Sequence, residues 1–83
     1  AHFWIGETLY AMGKYEDAVL KYDLVVKKYA KSGKVPESLL KQGMAFHKMG
    51  DGETGDIILR QLIKEHPATE AAAQAKKMVK GGN

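Results

Sequence analysis

At 83 residues the chain makes one small domain, and a domain of that size buries only roughly 60–65% of its unfolded surface. Having no cysteine excludes disulfides and thiolate metal sites, and no apolar run approaches the roughly 20 residues of a membrane-spanning helix. The formal charge of +3 is modest, and the clusters Lys27, Lys28, Lys31, Lys34 and Lys76, Lys77, Lys80 fall where helices end. There cations complement the helix dipole, so they do not read as a nucleic-acid or anionic-lipid patch.

In chain order, five helices are predicted. The first covers about 1–12 and stops at Gly13, a residue suited to the left-handed C-terminal position. The second covers about 15–30. Ala18, Val19, Tyr22, Val25, Val26 and Tyr29 recur in steps of three and four and draw one apolar stripe, with Glu16 and Asp17 in the first turn and Lys27 and Lys28 near the last. Ser32-Gly33-Lys34 is a linker. Pro36, tolerated in a first turn, opens a third helix that runs to Met49 and stops at Gly50. The fourth covers about 53–65 and ends at His66-Pro67. Thr69 is a predicted N-cap for a fifth, alanine-rich helix over about 70–80. Residues 81–83 form a tail expected to fray. Nothing alternates with period two, so no strand is predicted.

The first four helices repeat. Gly6, Leu9, Met12, Gly13, Glu16, Ala18, Tyr22 and Val25 return thirty-seven residues later as Gly43, Phe46, Met49, Gly50, Glu53, Gly55, Leu59 and Leu62. Self-similarity of this length is the mark of a solenoid, whose units bury their apolar faces only against one another. The expected fold is all-α: two antiparallel helix pairs, at about 1–34 and 35–68, and a capping helix over about 69–80. Ala72, Ala75 and Val79 of the cap would cover Ile58, Leu62 or their neighbours. The chain begins inside a helical pattern, as a piece of a longer protein would. Its first helix should then present Phe3, Trp4 and Ile5 on an uncovered edge open to self-association.

Ile5-Gly6, Gly13, Tyr15, Ala18 and Tyr22 in the first unit, and Gly43, Phe46, Gly50 and Pro67 in the second, resemble the tetratricopeptide repeat. The second unit is degenerate, with Gly52 and Gly55 at the aromatic and alanine positions. A narrower resemblance is carried by Trp4-Ile5-Gly6-Glu7, Gly13-Lys14-Tyr15-Glu16-Asp17-Ala18, Val25-Val26-Lys27-Lys28-Tyr29, Lys31-Ser32 and Pro36-Glu37-Ser38-Leu39-Leu40-Lys41. These stretches are similar to the C-terminal domain of the periplasmic tetratricopeptide protein of the bacterial Tol–Pal system, the cell-division coordinator family. Outer-membrane assembly lipoproteins with such repeats use similar long linkers. The resemblance implies a periplasmic, non-enzymatic adaptor whose partner is the energised envelope subunit TolA, with neither nucleic acid nor membrane insertion involved. It also implies that the first helix of each pair lines a concave groove. Phe3, Glu7, Tyr10 and Ala11 then come from the first pair, and Glu37, Leu40, Lys41, Met44, His47 and Lys48 from the second. Glu7, Tyr10, Lys41, Met44, His47 and Lys48 are the candidate partner-binding residues. Tyr10, Met44 and His47 are read as lying off the packing stripe. Glu7 and Met44 occupy positions where a carboxylate-binding clamp needs asparagine, which disfavours an acidic chain terminus as ligand.

Chemistry finds little support. Gly50-Asp51-Gly52-Glu53-Thr54-Gly55 lacks the Gly-Lys-Ser/Thr end of a phosphate loop and the alternating oxygen ligands of a calcium loop, and it reads as a turn before a helix. His2, His47 and His66 never fall three or four apart, as zinc ligands on one helix would. No cofactor is expected. Gly55 within the fourth helix predicts that alanine there would stabilise, by about 0.8–1.0 kcal/mol, unless neighbouring side chains have closed over the missing methyl. Two other readings stand beside the interaction module: a self-association segment, and an enzyme accessory with a ligand-bearing groove.

Overall fold

The computed structural model describes residues 2–79. Ala1, Lys80 and the tail 81–83 lie outside the described residues, as do the expectations placed on them. Five helices follow in order: α1 His2–Ala11, α2 Tyr15–Lys28, α3 Val35–Lys48, α4 Gly52–Glu65 and α5 Glu70–Met78. No strand occurs among the described residues.

The two helix pairs turn by the same device. Gly13 and Gly50 adopt φ of 81° and 86°, a region that costs a Cβ-free residue nothing. Lys14 N–H then bonds Leu9 O, and Gly13 N–H bonds Tyr10 O. Thirty-seven residues on, Asp51 bonds Phe46 O and Gly50 bonds His47 O. This is the paired closure of a Schellman motif, repeated. The later helix starts are capped by side chains: Asp51 accepts from Thr54 N–H at 3.2 Å and Thr69 from Ala72 N–H at 3.1 Å.

The core runs between the layers. Phe3, Ala18, Tyr22 and Val25 fill it in the first pair, Leu39, Leu59 and Leu62 in the second, and Ala71, Ala72, Ala75 and Val79 close it. α3 packs on α2, α4 and α5 and is the central helix. The glycine common to both units has a packing role. A Cβ on Gly6 would stand 2.9 Å from the Tyr22 ring, and one on Gly43 would stand 2.6 Å from Leu59. Tyr22 and Leu59 are themselves repeat equivalents, so each pair seats one large side chain of its second helix on a glycine of its first.

Gly55 also lies at a close approach. A Cβ there would fall 2.7 Å from Gly43 O and 2.7 Å from His47 Cδ2. The expected gain from alanine is therefore corrected: the neighbours have closed over the missing methyl, one of them through its backbone. Phe3 is corrected as well. It is only 4% exposed and belongs to the core, whereas Trp4 and Ile5 are exposed as expected.

Candidate functional site

Glu7, on α1, is the carboxylate through which α1 meets both α2 and α3. Tyr22 donates its hydroxyl to Glu7 Oε1 at 2.5 Å, and Lys41 Nζ of α3 reaches the same oxygen at 3.8 Å. The Tyr22 phenol is pushed far above its ordinary value of 10.0 by burial first and then by the hydrogen bond to Glu7. Lys41 also lies over the Tyr10 ring, 5.3 Å from its centroid, and Tyr10 meets Tyr15 edge-on at 5.1 Å. The repeat positions equivalent to Tyr22 and Glu7 are Leu59 and Met44, so the polar pair of the first unit becomes an apolar pair in the second.

Above this contact opens a cleft of about 490 Å³ between α1, α3 and α5. Leu40 and Ala71 supply its apolar lining, Glu7 and Lys41 one polar side, and Glu37, Glu70 and Gln74 the others. α3 orients the central residues, and Thr69, the N-cap of α5, fixes the far wall.

Glu7, Tyr10 and Lys41 are thus brought together. Lys48 is exposed on the last turn of α3, away from the cleft lining. Met44 and Tyr10 pack against the core, so their placement off the packing stripe is corrected. The Tyr10 hydroxyl is buried without a hydrogen bond, and its titration is raised by that burial, then by Tyr15 and Glu7. His47 turns toward α4 instead. Its Nε2 donates to Asp56 Oδ1 at 2.8 Å, and its ring lies against Gly52 and Gly55. The degenerate glycines of the second unit explain this. Tyr10, the equivalent of His47, meets the large Tyr15; at Gly52 nothing projects, and the imidazole moves into the space. Leu40 and the α5 residues Glu70, Ala71 and Gln74 complete the cleft. Leu40 was legible from the repeat register, but the α5 residues depend on where the last helix docks.

The sequence profile of the tetratricopeptide repeat matches residues 1–32 and 37–69, the two helix pairs. The chain belongs to the tetratricopeptide repeat family. No curated protein matches it. As a tetratricopeptide repeat array it is a protein–protein interaction module of a family that is typically non-catalytic. Among the described residues no group of three or more His, Cys, Asp or Glu could hold a metal ion, and no helix is long and apolar enough to cross a membrane.

Proposed function

We propose that the chain is an adaptor that holds a peptide segment of another protein in the cleft between α1, α3 and α5. The observation that carries this is the cleft itself: it joins both repeats and the closing helix, with an apolar lining at Leu40 and Ala71 and polar groups around it. Such a mixture gives an extended or helical segment both area and orientation. The candidate partner-binding set is then Glu7 and Lys41, with Glu70 and Gln74 added, while Tyr10 and Met44 support the wall from behind. The stretches Trp4-Ile5-Gly6-Glu7 and Gly13-Lys14-Tyr15-Glu16-Asp17-Ala18 support a finer reading, in which the site of action is the periplasm, the machinery Tol–Pal and the partner a TolA-like envelope subunit.

The test is calorimetric titration of the chain with a purified soluble domain of TolA. Binding that weakens at least about tenfold on Gln74→Ala with Lys41→Ala, as removal of interface anchors does, is the expected result. Absence of binding overturns the finer reading, and binding indifferent to both substitutions overturns the cleft.

One further reading rests on a specific observation. Trp4, 60% exposed, stands on α1 with Ile5, and Met12, 61% exposed, follows directly after that helix; contiguous exposed apolar surface attracts a partner. We infer that copies of this chain associate through α1. Sedimentation over a range of concentrations tests it, and a strict monomer at high concentration overturns it.

A further inference from the structure

The side of the molecule away from the cleft carries a second depression. Two adjoining hollows of about 460 and 340 Å³ share Val19, Leu20 and Phe46 and form one trough. α2 and α4 are its walls, and α3 is its floor. Leu40, in the cleft, and Gln42, in the trough, stand about 200° apart around α3, so the two depressions occupy opposite sides of the central helix. Met49 and Ile58 extend the apolar lining. Leu20, 64% exposed, is a large apolar side chain at the middle of a solvent-facing helix surface, where packing gives it no role.

The margin is acidic. Glu16, Asp17 and Asp51 line one end, and Asp23 lines the other. Among the described residues the only basic one on the lining is Lys27, already held by Asp23 at 3.7 Å. The chain as a whole carries 13 basic and 10 acidic side chains, so the trough runs against the general balance. Glu16 and Asp17 also serve the N-terminal dipole of α2, and Asp51 caps α4. Asp51 is held below its ordinary range by the hydrogen bonds from Thr54.

We infer that this trough docks a basic amphipathic helix of a partner protein, its apolar face against Val19, Leu20 and Phe46 and its lysines or arginines over the carboxylates. An apolar floor between two helical walls suits helix-in-groove recognition, and complementary charge at the margin fixes partner choice and encounter rate. The surface is separate from the peptide cleft, so both can be occupied at once.

The experiment uses the whole chain and a fluorescent Leu/Lys amphipathic helical peptide, with a Leu/Glu peptide of the same apolar pattern as control. The Leu/Lys peptide should bind, weaken with added salt, and shift the amide resonances of Val19, Leu20 and Phe46. Leu20→Ser, at an exposed position where folding is not at stake, should weaken binding at least about tenfold, and Asp17→Asn by a smaller, salt-dependent factor. Equal binding of the Leu/Glu peptide, no binding of either, or shifts confined to Leu40, Lys41 and Gln74 would overturn the inference. So would sedimentation showing that free chains pair with each other and that Leu20→Ser abolishes the pairing, since the trough would then be covered by a second copy.

Discussion

Gly55 shows how a single missing methyl can be set by a neighbour rather than by its own helix. Helix propensity favours alanine by about 0.8–1.0 kcal/mol. A Cβ 2.7 Å from Gly43 O and from His47 Cδ2 forces the α3–α4 crossing apart, and overpacking of that kind costs about 1–3 kcal/mol. Gly55→Ala is therefore expected to lower the melting temperature by circular dichroism; an unchanged or raised value would show that the crossing yields freely. At Tyr22 the measurable consequence is with pH. Its folded-state titration lies above the unfolded value near 10, so the neutral phenol's contribution is complete below about pH 10. That contribution is lost progressively as pH rises beyond it. Denaturant midpoints should fall above that pH in the parent and fall less steeply in Tyr22→Phe. The substitution itself should cost about 1–3 kcal/mol at neutral pH by removing a bond to a charged acceptor. Tyr10→Ala with Met44→Ala, side chains that pack on the core, is expected to destabilise the fold measurably. Thermal melts equal to the parent's would place both outside the core after all.

Among the elements, α5 is the one whose removal should matter most. Ala71, Ala72, Ala75 and Val79 are buried, and their burial contributes about 25 cal/mol per Å² of apolar surface withdrawn from water. Deleting residues 69–83 uncovers the faces of α3 and α4 and is expected to lower the melting temperature and promote aggregation, which light scattering would detect. A truncated chain as stable and monomeric as the parent would remove the capping role. The elements were largely legible in the sequence, because Gly13, Gly50, Pro36, Pro67 and Thr69 act through local chemistry that the chain carries on its face. Their contacts were less so. His47 was placed in the groove by register alone, and register does not show that Gly52 leaves room for it or that Asp56 receives it. The signal was present in the repeat alignment, where Tyr15 gives way to Gly52 opposite the position that changes from Tyr10 to His47. Leu20 gave a comparable signal for the α2–α4 trough, an apolar residue outside its own helix's stripe.

At the scale of the whole molecule, a repeat array holds together through nearest-neighbour interfaces, and in this one the central helix α3 takes part in more of them than any other helix. It meets α2, α4 and α5 and sends Gln42 Nε2 to Val19 O at 3.2 Å and Lys41 to Glu7. Substitutions on α3 should therefore lower the stability of both pairs together, while those on α1 loosen the first pair alone. Chain association through Trp4, Ile5 and Met12 would add a concentration dependence to any melting curve, because a partner that binds only the folded form stabilises it by mass action.

Lys34 lies over the rings of Phe3 and Trp4, 5.0 and 5.1 Å from their centroids, and so ties the connection between the two pairs back onto α1. Trp4 is the only tryptophan in the chain. Its emission is therefore a reporter built into one end of the array, sensitive to the cation above it and blind to events near α5. Comparing it with helical ellipticity during unfolding should tell which end lets go first: a spectral change ahead of the ellipticity loss marks opening at α1, and a lag marks opening at the cap.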